Sequence, residues 1–353
     1  MQTHSFHSIR LVKLVAGMTS ALAVMIVGCT ATPNEELGAS STIESTASSE
    51  ESVTEGGDLQ VVTTILPITQ FTQAVAGDRA TVTQLLPTTA DPHDFQAKPG
   101  DVQAIATADV LVQNGLGLEY FLDDLVENAD NPDLVLIDSS EGIETIALEK
   151  AHSDDHHDED HHDEEHSEDK HAHDEHNHAE HGDEDPHIWL DPKRAIEQVE
   201  NIRDGLIAAD PLGESTYTEN ATAYIAQLQA LDADITEQLA PYAGQTFISF
   251  HDFAAYFAES YGLEAEFLVD VPEANPSPED MRRITETVEA ENVKALLTEP
   301  SAGESGFASL SKDLNIPVGV FDPVVIGGVE AEKDDYYLST MLKNVENLES
   351  ALQ

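Results

Sequence analysis

The chain has one cysteine in 353 residues, and 15 lysines and arginines stand against 69 acidic residues. Each shortage excludes something. One thiol cannot form an intrachain disulfide, and if Cys29 is itself modified, no thiolate remains to hold a metal. A formal net charge of −54 argues against nucleic acid or an anionic membrane surface as a partner, because phosphate is repelled by a field of that sign. Long hydrophobic runs are also scarce. The longest, residues 14–27, falls short of the ~20 apolar residues that a membrane-spanning helix needs. No HExxH helix and no nucleophile elbow occur, so no enzyme is expected.

The apolar run follows Arg10 and Lys13 and ends in Ile26-Val27-Gly28-Cys29. This looks like a bacterial lipoprotein signal, in which residues 1–28 are removed and Cys29 becomes the lipid-bearing first residue. An ordinary secretory leader with an incidental cysteine is the alternative. Residues 29–57 are rich in Ser, Thr and Glu and cannot bury enough surface to fold, so they read as a flexible tether.

A second segment stands apart. Residues 152–185 hold eleven histidines, sixteen acidic residues and one lysine, with no large apolar side chain. Such a composition reads as a loop outside the core. Its net −15 leaves −39 for the rest, so the acidity is general. Histidines 156, 157, 161, 162, 166, 171, 173, 176, 178 and 181, that is His156, His157, His161, His162, His166, His171, His173, His176, His178 and His181, are candidate weak auxiliary metal ligands. The alternative is a solvated acidic spacer.

Elsewhere strand and helix patterns alternate. Strands are expected at 59–65, 81–86, 110–113, 134–137, 246–250, 264–269, 294–298 and 318–321. Helices are expected at 69–76, 101–108, 118–129, 251–261, 277–291 and 305–314. This alternation implies an α/β protein of two lobes with mainly parallel sheets. Between them Tyr217, Ala221, Tyr224, Leu228, Leu231 and Ile235 recur at spacings of four and three, with no Gly or Pro over residues 214–240. That predicts one long amphipathic helix, ~40 Å at 1.5 Å per residue. It is either a surface helix of one lobe or a stiff strut joining the two. The domains expected are 58–213 for the first lobe, 214–241 for the linking helix and 242–353 for the second lobe.

Outside the leader and the acidic segment only three histidines remain, His93, His187 and His251. His251 directly follows an expected strand, and His93 follows another by a short loop. Asp322 directly follows the strand at 318–321. Ligands of open α/β sheets collect outside the carboxyl ends of the strands. Three imidazoles and one carboxylate suit tetrahedral Zn²⁺, whereas Ca²⁺ or Mg²⁺ would require more oxygen.

The motifs Pro92-His93-Asp94-Phe95, Pro186-His187-Ile188-Trp189-Leu190-Asp191-Pro192, Ser249-Phe250-His251-Asp252 with Tyr256-Phe257, and Phe321-Asp322-Pro323 resemble the metal-binding subunits of ABC importers, specifically the zinc (ZnuA-like) branch. Pro276-Ser277-Pro278 and the Thr298-Glu299-Pro300 turn are similar too, and the likeness runs over residues 58–353. The resemblance implies two α/β lobes joined by a rigid helix, a metal site in the interlobe cleft, and ligands His93, His187, His251 and Asp322. It implies an extracytoplasmic, lipid-anchored monomer that hands Zn²⁺ to a membrane permease. Manganese relatives typically carry glutamate where this chain has His251, so a histidine there argues for zinc. Some zinc members carry a carboxylate where this chain has Pro92. A manganese-binding subunit, an adhesin and a passive zinc buffer are the competing functions.

Overall fold

The computed structural model describes residues 59–148, 184–269, 276–300 and 307–353. The expected signal peptide, tether, lipid-bearing Cys29 and auxiliary histidines all lie outside the described residues. Among the described residues no helix is long and apolar enough to cross a membrane.

The first half alternates strand and helix. Its elements are β1 (Leu59–Thr63), α1 (Leu66–Ala76), β2 (Ala80–Gln84), α2 (Pro99–Ala106), β3 (Val110–Gln113), α3 (Leu122–Ala129) and β4 (Val135–Asp138). The strands form one parallel sheet in the order β2-β1-β3-β4. Two long helices follow, α4 (Pro192–Ala209) and α5 (Glu214–Leu239). The second half contains β5 (Thr246–Ser249), α6 (Ala255–Tyr261), β6 (Glu264–Phe267), α7 (Pro278–Glu291), β7 (Ala295–Thr298), α8 (Ala308–Leu314), β8 (Val318–Val320) and α9 (Tyr336–Leu352). Its sheet is also wholly parallel, ordered β6-β5-β7-β8. Val110, Leu111, Val112, Phe247, Ile248, Ala295, Leu296 and Leu297 are all buried. Continuous apolar runs of this kind are what a parallel sheet covered on both faces requires.

The two-lobe α/β expectation therefore describes the molecule, with corrections in detail. The helix expected over 118–129 begins only at Leu122, because Gly115, Leu116 and Gly117 all take positive φ and form an irregular turn before it. Two helices were not foreseen, α4 and α9. The first starts at the Asp191 cap, whose side chain accepts from the backbone N–H of Lys193, with Pro192 at the first helical position, where its missing N–H costs nothing.

Helix α5 buries Tyr217, Ala221, Tyr224, Leu228, Leu231, Ile235 and Leu239, the expected stripe extended by one residue. It packs on α1 and α4 of the first half and on α6 and α9 of the second. The alternatives of surface helix and strut thus merge, since one helix lines both halves.

Cross-links between the halves are polar as well as apolar. Gln70 on α1 donates to the carbonyls of Ala331 and Lys333 and accepts from the N–H of Tyr337 at 2.8 Å. The Trp189 indole donates to the Pro323 carbonyl at 2.8 Å, and the Tyr337 hydroxyl donates to the Trp189 carbonyl at 2.6 Å. These bonds lie beside the segments that carry His187 and Asp322.

Candidate metal centre

His93 sits in a short 3₁₀ turn, Pro92–Asp94, where Asp91 accepts from the His93 N–H at 3.0 Å. His187 caps another such turn, Ile188–Leu190. His251 lies two residues beyond β5. Three segments far apart in sequence thus converge. The ring centroids are 5.5, 5.7 and 5.4 Å apart for the pairs His93–His187, His93–His251 and His187–His251. One nitrogen from each ring lies within 4.8 Å of the others. Two nitrogens held tetrahedrally at ~2.1 Å from one ion are about 3.4 Å apart, so small shifts complete the set.

Two rings are oriented by carboxylates. Asp185 Oδ1 is 2.8 Å from His187 Nδ1 and also accepts from the His187 N–H at 2.9 Å. Glu299 Oε1 is 2.6 Å from His251 Nδ1. A ring nitrogen against a carboxylate carries the proton, which leaves Nε2 as the lone-pair donor. His251 Nε2 is buried and has no hydrogen-bond partner, and a buried polar atom of that kind calls for a ligand. The His251 pKa is raised. Burial pulls it down, but the charge and hydrogen bond of Glu299 outweigh burial, with Asp252 and Asp91 adding to them.

The Asp322 carboxylate is not among the mutually close ligand atoms. Its Oδ1 accepts from the Val324 N–H at 2.8 Å. Asn344 of α9 clamps its backbone, accepting from the Asp322 N–H and donating to the Asp322 carbonyl, each at 2.8 Å. Burial, reinforced by the Glu299 charge, pushes the Asp322 carboxyl up to about 6. Val324 has a φ of 65°, an unusual value for a β-branched residue.

The structure therefore brings together the three histidines singled out in the sequence, and the Asp322 carboxylate is not part of that group. Sequence reasoning missed the orienting carboxylates Asp185 and Glu299. Asp185 closes the acidic segment two residues before His187, where its sequence context alone assigns it no role. Glu299 was visible in its motif but had no assigned role. Its signal was positional: it directly follows β7, as His251 closely follows β5, and these two strands are neighbours in the sheet.

Comparison with known proteins follows this geometry. The chain is 30% identical over 317 residues to the manganese-binding lipoprotein MntA of Halalkalibacterium halodurans, covering 88% of this chain and 92% of that one. It is 30% identical over 294 residues to the zinc-binding lipoprotein AdcA of Streptococcus pneumoniae, covering 83% of this chain but only 55% of that longer protein. Among solved structures, Zn(II)-bound AdcA from Streptococcus pneumoniae superposes with a TM-score of 0.65 at 29% identity, over 84% of this chain and 58% of that one. The family model described as "ZnuA: Zinc-uptake complex component A periplasmic" matches residues 61–351. On that span the chain belongs to the ZnuA family, the metal-binding substrate-binding components of ABC importers, which are transport components and not enzymes.

Proposed function

We propose that this protein captures Zn²⁺ outside the cytoplasm and delivers it to the permease of an ABC importer. His93, His187, His251 and Asp322 are the ligands in this reading. The observation that carries it is the convergence of three imidazoles, one of which has a buried Nε2 without a partner. Neutral imidazoles with one carboxylate leave a divalent ion with net charge +1 at the site. Asp322 joins by a shift of its carboxylate towards the ion, and the cation then lowers the carboxyl's raised pKa. The polar links between the halves support capture by small shifts around the site in place of a wide hinge. Attachment through Cys29, a monomeric state and auxiliary binding by the histidines of segment 152–185 belong to the same proposal.

Manganese is the second reading, favoured by the extent of the match to the manganese-binding relative. Zinc is preferred on ligand chemistry. Mn²⁺ is best served by oxygen-rich, higher-coordinate sites, whereas three imidazoles suit Zn²⁺. Metal analysis of protein purified without added metal, followed by competition titrations, separates the two. Zinc should be retained at about one ion per site, and His251→Ala should lose it and fail to support growth on limiting zinc. Retention of manganese over zinc, or normal zinc uptake with His251→Ala, would overturn this proposal.

A further inference from the structure

Both sheets have the same strand order, so each has one crevice where the connections leave to opposite sides, between β1 and β3 and between β5 and β7. Such crevices are where open parallel sheets take their ligands. In the second half that place holds the His251–Glu299 pair. In the first half the residues directly after β1 and β3 are Thr64 and Asn114. What fills the space between them is a carboxylate of the chain itself. Glu119, 6% exposed, accepts at Oε1 from the Thr64 hydroxyl at 2.6 Å and from the Asn114 N–H at 2.7 Å. Its Oε2 accepts from the Gly115 N–H at 3.1 Å.

A buried path runs from there towards His187. The Asn114 side chain donates to the Pro186 carbonyl at 3.0 Å, in the peptide that leads into His187. Gln198 fixes that side chain by donating to Asn114 Oδ1 at 3.1 Å, and it also donates to Ser139 Oγ at 3.0 Å. Beyond Asn114 the backbone takes positive φ at Gly115, Leu116 and Gly117, with values of 93°, 57° and 77°. Leu116 packs against the small cluster of Ile143, Ile188 and Tyr256. A turn of this kind persists only where its surroundings over-determine it. The carboxylate does so by holding the N–H groups of Asn114 and Gly115 at the entry to the turn.

We propose that Glu119 is a positioning residue for metal binding, fixing the Asn114–Pro186 anchor that sets His187 in place. It touches no ion. All three of its partners are donors, so a carboxylate satisfies each one, whereas an amide would turn its own N–H towards one of them and leave that donor unpaired. The proposal rests on the reading of His187 as a ligand.

The test is a double-mutant cycle read as Zn²⁺ affinity, by chelator competition on the full chain at a fixed pH of about 8. There a Glu119 carboxyl raised to about 7 is ionised and accepts from all three donors. Glu119→Gln should weaken binding by about ten-fold or more. The same change made on top of His187→Ala should cost nothing further, because the ring it positions is gone. A similar further loss in the double variant would overturn the proposal by showing that Glu119 acts through the fold at large. Unchanged affinity in Glu119→Gln beside a weakened His187→Ala would overturn it as well. Wild-type affinity in His187→Ala would instead remove the ligand reading, and this proposal with it. If Glu119→Gln fails to fold, Thr64→Val removes one of the three donors with little change of volume. It should show a smaller loss with the same non-additivity, and an additive loss there would also overturn the proposal.

Discussion

At the residue scale, the two carboxylate–imidazole pairs are the most exacting parts of the site. Glu299→Gln keeps the shape but removes the charge that holds the Nδ1 proton of His251. It should weaken zinc binding by about 10- to 100-fold with the fold intact, measured by competition titration alongside circular dichroism. Glu119 provides a pH signature. Burial raises its carboxyl from 4.5 to about 7 against the opposing hydrogen bonds from Thr64, Asn114 and Gly115. With a folded value above the unfolded one, its contribution to stability is fullest below 4.5 and is lost as pH rises towards 7. The change is at most about 3 kcal/mol. Urea unfolding of the metal-free protein between pH 4.5 and 7.5 should show a slope that Glu119→Gln reduces, and identical profiles would contradict this. The three histidines were legible because nothing else competed with them once the acidic segment was set aside. Their carboxylate partners were not, because one Asp or Glu among 69 carries no mark until the fold places it against a ring.

At the element scale, legibility followed the purity of the buried face. Helix α5 shows a clean stripe of seven residues and stood out at once. Helix α4 mixes Arg194 and Gln198 into its buried face, and α9 does the same with Asn344. Both blurred the apolar period that sequence reading depends on. Those polar residues are the ones with structural tasks. Arg194 pairs with Asp191 at 2.9 Å and Glu259 at 3.2 Å, while Asn344 clamps Asp322. Two substitutions test the helices. Leu228→Ala, at a fully buried position on α5, should destabilise the protein by ~2–5 kcal/mol. Ser277→Ala should remove the capping box of α7 at a cost of about 1 kcal/mol. Chemical denaturation measures both, and the first should far exceed the second.

At the scale of the whole molecule, the acidity dominates. A formal charge of −54 repels itself in the compact state and draws cations towards every face. Added monovalent salt screens both effects within ~8–10 Å. The melting temperature of the metal-free protein should therefore rise with sodium chloride, while the association rate of Zn²⁺ should fall. Calorimetry and stopped-flow mixing with a zinc indicator check the two trends, and a salt-independent on-rate would mean that the charge does not steer the ion.

The antiparallel bridge between Ala147 and Glu184, secured by the bond from the Asp185 N–H to the Ile146 carbonyl at 2.8 Å, bears on how this chain can change over generations. The two described points between which residues 149–183 run are already joined. The closure entropy of a connecting loop grows by about 0.6 kcal/mol for each doubling of its length. Replacing the segment with a four-residue turn removes roughly three doublings and should stabilise the protein by no more than ~2 kcal/mol. Insertions and deletions at this position should then be nearly neutral for folding, which the same denaturation measurement checks.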